Sequence, residues 1–509
     1  MDLFRTKDIS RTVAGTKNRG LAKTLGAVDL VLLGIGCIIG TGIFVLTGVA
    51  AARFAGPGIT LSFILSGSAC GFAALAYAEL AAMVPVAGSA YTFAYVALGE
   101  IVAFLVGWAL ILEYTVGAAA VAAGWSGYFA GLAEAIGFRL PKAFTAVPSE
   151  GGIVNMPAVI IVLLLTALLI QGTRESASLN KILVTVKLSV VALFLVLAVP
   201  HVNPVNWEPF LPFGYKGIAA GAAIVFFAYI GFDAVATAAE ECRRPNRDLP
   251  TGIIGSLIVC TVLYIVVAGV LTGIVPYGQL DNSEPVAFAL HYIGINWGSA
   301  VVAVGAICGM TTVLLVFIFG QSRVFLAMAR DGMLPAVLAK LHPRHKTPFI
   351  ITVITGIAVA AISAILPISI IAELTNAGTL FAFIVASVGV LVLRYTRPTA
   401  RRPFRCPAVT IIAPLAVVFC SYLLANLPLL TWKFFGSWLG IGLVVYFLFS
   451  RRHSVLAQNQ DGSSGPKLIK AVPVGAAATD PAGVLRYSTT GMRGSGKKLS
   501  RRRLSGRRP

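Results

Sequence analysis

The chain has 509 residues, of which 57% are hydrophobic and 12% are charged, and a formal net charge of +20. Soluble domains carry about 25% charged residues, so this composition excludes an ordinary soluble protein and indicates an integral membrane protein. Most lysines and arginines fall in the tails and in loops predicted to be cytoplasmic. The positive-inside rule therefore explains the charge, and nucleic acid is not a predicted partner.

Apolar runs long enough to cross a bilayer, about 20 residues each, recur from Ala27 to about residue 450. They predict an all-α integral membrane domain of about twelve transmembrane helices, residues 26–450, with both termini cytoplasmic. The first run follows a basic segment that is too long for the start of a signal peptide, so it is predicted to remain as a span. The predicted spans are 27–51, 58–83, 99–126, 155–171, 182–200, 217–240, 252–275, 297–328, 348–366, 371–394, 408–424 and 432–450.

The two ends of the chain differ from this domain. Residues 1–25 form a basic cytoplasmic segment, either a short amphipathic helix on the inner leaflet or a solvated tail. Residues 451–509 are rich in Gly, Ser, Pro and Ala and end in a basic run, which predicts a disordered cytoplasmic tail. Both basic termini are expected to attract anionic lipid headgroups.

The first span places four glycines within nine residues, in the stretch VLLGIGCIIGTGIF. Two interpretations are open. The spacing of Gly36 and Gly40 is typical of close helix packing. Alternatively, the glycines mark a break in the helix, which within a bilayer survives only where protein covers it or where it lines a cavity.

A similar break is predicted in the sixth span, IVFFAYIGFDAVATAAEE, which places Gly231 at its centre and Asp233 close behind. If spans one to five and six to ten are corresponding halves, each break lies in the first helix of its half. The odd number of helices then inverts one half relative to the other. Inverted-repeat secondary transporters bind their substrates at such discontinuous helices.

The helix ends at the two breaks offer opposite partial charges. Freed amide groups around residues 39–42 would suit a carboxylate, and freed carbonyl groups around residues 227–230 would suit an ammonium group. Two such sites facing each other fit a zwitterionic α-amino acid.

Three motifs carry a resemblance to a known family: LGIGCIIGTGIFVLTG, YAELAAMVPVAGSAYTFAYVALGE and GFDAVATAAEECRRPNRDLPTGI. Together they resemble the amino acid–polyamine–organocation (APC) superfamily, and within it the bacterial cationic amino acid transporters with twelve spans. The resemblance implies a five-plus-five inverted-repeat fold like that of leucine transporters, with discontinuous helices 1 and 6. It also implies a location in the bacterial inner (plasma) membrane.

The resemblance further implies which groups contact the substrate. The expected contacts with the substrate carboxylate are at Gly40, Thr41 and Gly42. The expected contacts with the amino group are the carbonyls of Ile38, Phe227 and Ile230, with Ile39 and Ala228 in the same two segments.

Ionisable residues within spans need a reason, since a charge at the centre of a span costs about 2.5–3.5 kcal/mol on insertion scales. Lys187 lies about six residues into the fifth span, so its ammonium group either returns to the membrane interface or serves a site. The resemblance favours a site, in which Lys187 replaces a sodium ion against the broken first span. Its proton could then couple transport to the proton gradient.

Two carboxyl groups are also predicted within spans. Glu113 lies near the centre of the third span with no basic residue at helical spacing. It is either a structural carboxyl or part of the substrate cavity or proton path, and the resemblance favours the second role. Asp233 is either a proton site or a structural acceptor near Thr41.

These observations predict a secondary active transporter, by proton-coupled symport of cationic or small neutral L-amino acids into the cell. An amino acid or polyamine exchanger would use the same fold, and a channel is a more distant alternative. An enzyme is not expected, because the five histidines fall mainly in loops or tail and no HExxH or GxSxG motif is present. No cofactor or metal site is predicted, and the expected partners are the amino acid, protons and the lipid bilayer.

Overall fold

The computed structural model describes residues 3–9, 12, 25–86, 89–171, 177–340, 342 and 347–460. These described residues belong to one compact unit. Residues 461–509 of the predicted disordered tail, and residues 1, 2, 10, 11 and 13–24 of the basic N-terminal segment, lie outside the described residues. In the described part of the tail, Arg451–His453 and Val455–Gln460 are helical, and Ser454 Oγ donates to Glu100 at 2.6 Å, so the prediction of disorder does not hold there.

Helices make up most of the described chain, and those of 12 residues or more are numbered α1 to α12 in chain order. They are Ala27–Ile38, Ile59–Met83, Glu100–Ala135, Met156–Gln171, Ala177–Ala198, Gly214–Val225, Pro245–Ile274, Asn296–Arg330, Phe349–Ile365, Ile368–Thr396, Val409–Ala425 and Leu429–Val445. Shorter helices include Ser89–Ala97 between α2 and α3 and Pro285–Tyr292 between α7 and α8.

The helices agree with the expectation of a multi-pass membrane protein. Within the described ranges, eight helical stretches are long and apolar enough to cross a membrane. Helices α1, α4, α9 and α11 are shorter apolar helices. Helix α3 is longer than the predicted span 99–126, because its apolar face continues for more than two turns beyond residue 126.

Proline sets where several helices begin, since its fixed φ suits the first turn and it has no N–H to leave unpaired. Pro348, Pro367 and Pro428 directly precede α9, α10 and α12, and Pro245 is the first residue of α7. The apolar runs therefore begin as helices at defined points, directly after short loops.

Small residues allow the helices around the site to pack closely. Helix α1 lies on α7, where a side chain at Gly34 would collide with Ser256, and one at Gly252 would collide with Leu30. Helix α3 packs along both α8 and α10. In a membrane, where lipid is as apolar as the helices, such close van der Waals packing holds the bundle together.

A pair of tryptophans joins α12 to α3. The indole N–H of Trp108 donates to the carbonyl of Trp438, and the indole N–H of Trp438 donates to the carbonyl of Trp108, both at 2.8 Å. The two rings are stacked with centroids 4.8 Å apart. This reciprocal pair satisfies both partly buried donors and fixes the register of α12 on α3.

The described part of the N-terminal segment lies against the helical domain. Residues 3–8 are not helical, so the alternative of an amphipathic helix does not hold for them. The N–H of Ile101 donates to the carbonyl of Leu3 at 3.2 Å, and Lys7 pairs with Asp331 at 2.5 Å. These contacts tie the segment to the start of α3 and the end of α8.

Candidate functional site

The first predicted break is present at the end of α1. The N–H of Ile39 makes the last α-helical bond, to Ile35, and Ile39 itself is extended with ψ 104°. The chain becomes helical again as the π-helix Gly42–Leu46. Amide groups at the start of a helix have no partner within it, and π-helical turns are frequent at functional sites.

The second predicted break is present at the end of α6. A short 3₁₀ turn, Phe226–Tyr229, follows the helix, and Ile230 is extended with ψ 135°. Gly231 has φ +120°, a conformation that residues with a side chain rarely adopt. The helix resumes at Ala234–Thr237, so the sixth span is interrupted where the sequence predicted.

The two breaks touch each other. A side chain at Gly42 would collide with the backbone of Ala228, and one at Gly231 would lie against the backbone of Cys37. The glycines of the first span therefore serve both predicted purposes: they interrupt the helix, and they let the two interrupted segments approach to backbone contact.

A small cavity lies beside the breaks. It is lined by Cys37, Glu113, Tyr114, Ile230, Gly231, Asp233, Ala234, Val316 and Phe317. Its volume of about 10 Å³ is room for about one water molecule. This arrangement is closed, and the segments around the cavity would have to separate to admit a molecule as large as an amino acid.

Two carboxyl groups from different helices line this cavity. Glu113, on α3, is 1% exposed, and its Oε2 has no hydrogen-bond partner among the described residues. Thr379 of α10 and Asp233 are its polar neighbours. Because two carboxylates in an apolar cavity repel each other, this position favours a positive charge between or beside them.

Asp233 is held by groups of its own break. It is 4% exposed, and its carboxyl group lies against the backbone amides of Gly231 and Ala234 and the hydroxyl of Ser89. Thr41 Oγ1 is buried with no partner among the described residues, so Thr41 is not one of the donors to Asp233. The choice between a proton site and a structural acceptor stays open for Asp233.

Thr41 and Gly40 face helices other than α6. Thr41 lies against Gly124 of α3, and a side chain at Gly40 would contact Val313 of α8 at 3.1 Å. The segment that joins the two parts of the first span is therefore enclosed by α3 and α8.

Lys187 contacts the broken helix from α5. Its Nζ donates to the carbonyl of Gly36 at 2.6 Å, and the residue is 1% exposed. The alternative that Lys187 extends back to the membrane interface is therefore wrong. Lys187 is not among the described residues that line the cavity, so its contact with α1 lies outside the cavity lining.

Two contacts at the breaks involve residues that sequence reasoning did not identify. The hydroxyl of Tyr264, on α7, donates to the carbonyl of Ile38 at 3.0 Å, so one expected partner of a substrate amino group is already engaged. Asn376, on α10, donates through Nδ2 to the carbonyls of Ala223 at 2.7 Å and Ile224 at 3.2 Å. Both side chains are uncharged, and only their mid-span position could have indicated them.

Another buried carboxylate lies outside the site. Glu79, on α2, accepts two hydrogen bonds from Arg394, at 2.9 and 2.7 Å, and one from the backbone N–H of Cys406 at 2.8 Å. Arg402 Nε lies 3.2 Å from its Oε1. This carboxylate ties α2 to the loop between α10 and α11.

Comparisons with known proteins agree with this arrangement. The amino acid permease family model matches residues 25–464. The chain is 50% identical over 462 residues to the branched-chain amino acid permease of Bacillus subtilis, covering 90% of this chain and 99% of that protein. It is 47% identical over 456 residues to the methylthioribose transporter of the same organism, covering 89% and 99%.

A plant relative is also similar. The vacuolar cationic amino acid transporter 4 of Arabidopsis thaliana is 39% identical over 409 residues, which is 78% of this chain and 68% of that protein. The match of the family model to most of the chain, together with these long alignments, shows that the chain belongs to the amino acid permease family of the APC superfamily.

Proposed function

We propose that this protein is a secondary active transporter that moves L-amino acids, cationic or small neutral, into the cell together with protons. The observation that carries the proposal is the contact between two interrupted helices beside a cavity with two carboxyl groups. In a member of the amino acid permease family, this is the position in which opposed helix ends would hold a zwitterion.

The pattern of helix packing supports a five-plus-five inverted repeat. Exchanging the two halves replaces α1 by α6 and α7 by α2, and both α1 with α7 and α6 with α2 pack together. In the same way, α5 packs on α8 and α10 packs on α3. The pairs α2 with α7, α3 with α8 and α4 with α9 also pack together, and each pair maps onto itself when the halves are exchanged. First residues of corresponding helices lie 186 to 196 positions apart. Because each half has an odd number of helices, the second half would cross the membrane in the opposite orientation to the first.

The substrate contacts follow from the ends of the interrupted helices. The backbone at Gly40, Thr41 and Gly42 begins a helical segment and would bind the carboxylate. The carbonyls of Phe227 and Ile230 would bind the amino group. The carbonyls of Ile38 and Phe227 each already accept one bond, from Tyr264 and from the N–H of Ile230, so each has one lone pair left for the amino group. Ile39 and Ala228 complete the two segments.

Three ionisable groups would couple transport to protons. Lys187 lies at the carbonyl end of α1, where a bound cation would be stabilised by the same helix end. Glu113 and Asp233 line the cavity, where a positive charge would relieve their mutual repulsion. A proton or the side chain of a cationic substrate supplies that charge.

The proposed location is the bacterial inner (plasma) membrane with both termini cytoplasmic. The location is supported by two bacterial relatives that align over nearly their whole length. The orientation is supported by the concentration of basic residues in the tails. The basic termini would lie near anionic headgroups.

The test is uptake of labelled leucine, lysine and alanine into proteoliposomes with an inward proton gradient and no sodium. We expect saturable accumulation that an uncoupler abolishes. Uptake only into vesicles preloaded with amino acid would indicate an exchanger and not a symporter. Conductance that does not saturate would indicate a channel. Transport of methylthioribose but of no amino acid would contradict the proposed substrate class.

A hydroxyl group offers a direct test of the carboxylate site. Thr41→Val removes a buried hydroxyl that has no partner in the described structure, so folding loses little. If the substrate carboxylate accepts a bond from this hydroxyl, KM for uptake rises about tenfold. Thr47→Val is the matched control, because the hydroxyl of Thr47 bonds the carbonyl of Gly42 within its own helical segment. Equal KM values for the two variants would contradict the assignment.

A further inference from the structure

Each interrupted helix is held near its carbonyl end by a donor from another helix. On α1 the donor is Lys187, which bonds the carbonyl of Gly36. On α6 the donor is Asn376, whose Nδ2 bonds the carbonyls of Ala223 and Ile224. In both helices the accepting carbonyls lie in the last turn, just before the break.

These carbonyls need an external donor. The last four carbonyls of a helix have no partner within it, and a buried unsatisfied carbonyl costs about 1–3 kcal/mol. The N–H of Phe226 still reaches the carbonyl of Ala222, and Asn376 covers the next two carbonyls. Beyond these lie the carbonyl of Val225, the last residue of α6, and then those of the 3₁₀ turn and Ile230, which is the segment proposed to face the substrate.

The two donors occupy corresponding places in the two halves. Asn376 follows Lys187 by 189 positions, and Ala223 follows Gly36 by 187 positions, within the range found for corresponding helices. Helices α5 and α10 are the fifth of their halves, and α1 and α6 are the first. The same contact therefore recurs with different chemistry: an ammonium group, which can lose its proton, and an amide, which cannot.

Asn376 also lies close to the acidic side of the cavity. Thr379, one turn further along α10, is the hydroxyl neighbour of Glu113. Asn376 is 0% exposed, and its Oδ1 has no partner among the described residues. An apolar side chain would avoid the cost of this oxygen, and the stabilisation that Asn376 provides comes from its Nδ2, which satisfies two carbonyls of α6.

We propose that Asn376 is a positioning residue for the substrate site, which fixes the carbonyl end of α6 so that Phe227 and Ile230 present their carbonyls to the amino group of the substrate. It acts through α6 and does not contact the substrate. The role in substrate binding rests on the proposed function, whereas the effect on α6 does not.

The test compares Asn376→Leu with Thr375→Val in the full-length protein. Leucine has a similar size but no donor. The hydroxyl of Thr375 bonds only the carbonyl of Ile371 in its own helix, at 2.9 Å, so valine there is a matched control for loss of a buried polar group on α10. KM and Vmax for leucine, lysine and alanine are measured in proteoliposomes, with Vmax normalised to folded protein.

We expect Asn376→Leu to raise KM at least tenfold with Vmax within about twofold, and Thr375→Val to leave KM within twofold. A purely structural role would lower Vmax or yield and leave KM unchanged, which would overturn the proposal. If the leucine variant does not yield monodisperse protein, Asn376→Ala is measured instead, because it also removes the donor and introduces no larger side chain. An increase in KM of less than threefold in that variant would also overturn the proposal.

A second measurement needs no substrate. Hydrogen exchange of the amides of residues 226–230 in nanodiscs should be faster in Asn376→Leu than in the wild type, and unchanged in Thr375→Val. Equal exchange in all three proteins would overturn the positioning of α6. If the wild type takes up no amino acid, the proposed function fails, and the exchange comparison alone decides whether Asn376 positions α6.

Discussion

Glu79 and Glu113 are both 1% exposed and both lie within long apolar helices, yet their surroundings are opposite. Glu79 is surrounded by donors: two arginines and a backbone N–H. Glu113 has a second acid, Asp233, as its charged neighbour within the described residues, and one unpartnered oxygen. A buried carboxylate with complete compensation ties helices together, whereas one without it is available for binding a proton or a cation.

This contrast predicts that removing the charge at one of four buried or half-buried groups changes stability by different amounts. The four groups are Glu79, Lys187, Glu284 and Glu113. The largest effect is expected at Glu79. Glu79→Gln leaves Arg394 and Arg402 without their counter-charge, and breaking a buried ion pair costs about 3–5 kcal/mol. The thermal unfolding midpoint, measured by scanning fluorimetry in detergent, should fall by more than for any other variant in the series.

An exposed ion pair is the control for this variant. Glu134 and Arg139 are 63% and 84% exposed, so Glu134→Gln should change stability by less than about 1 kcal/mol. If Glu79→Gln were no more destabilising than Glu134→Gln, Glu79 would not tie α2 to the α10–α11 loop.

Lys187 should rank second. Lys187→Met removes the donor to the carbonyl of Gly36, which leaves a buried acceptor unpaired at a cost of about 1–3 kcal/mol. Under the proposed function, proton-driven accumulation should also be lost. Lys181→Met, at a position 49% exposed on the same helix, is the control for removing a lysine. Unchanged pH-dependent uptake in Lys187→Met would exclude a coupling role.

Glu284 gives a smaller effect that depends on pH. It lies in the loop before Pro285–Tyr292, and burial, followed by the nearby Glu134, raises the pKa of its carboxyl group to about 7. Because the folded protein favours the protonated form, its contribution to stability is complete below about pH 4.5 and is lost as the pH rises through about 7. Glu284→Gln should therefore flatten the fall in unfolding temperature between pH 5 and pH 8.

The upper limit for this contribution is about 3 kcal/mol, at 1.36 kcal/mol for each unit of pKa shift. Parallel pH profiles of the wild type and Glu284→Gln would show that Glu284 does not titrate in this interval. The exposed pair of Glu134 and Arg139 lies nearby and is left intact in both proteins.

The smallest change in stability is expected at Glu113. Glu113→Gln keeps the shape of the side chain and removes no ion pair found in the described structure, so the free energy of unfolding should stay within about 1 kcal/mol of wild type. Transport should nevertheless be lost or uncoupled from the proton gradient. If Glu113→Gln still takes up amino acid driven by the proton gradient, Glu113 has a structural role, as Glu79 does.

The sequence was sufficient to predict the long apolar helices and the position of both breaks, but not the short helices Ser89–Ala97 and Pro285–Tyr292. Long apolar runs have few alternatives in a bilayer, and the glycines around Gly40 and Gly231 mark local backbone conformations. The sequence also identified Glu113, Lys187 and Asp233, because charge is conspicuous in an apolar span.

Contacts between helices far apart in the chain were not predictable. Tyr264 bonds Ile38 across 226 positions, and Asn376 bonds Ala223 across 153. Neither residue is charged, and no local periodicity relates such partners. For the same reason the sequence did not identify the partners of Glu79, since Arg394 lies 315 positions away from it.

The stacked pair of Trp108 and Trp438 has a practical consequence for distance measurements. A shift of α12 along α3 would break two hydrogen bonds and a ring contact together, so α12 is a fixed reference frame for α3. Ile441 and Val444, on the outer face of α12, are 54% and 57% exposed and could each carry a spin label. A change in distance from such a label to a second label on α1 or α6 would then report movement of that helix.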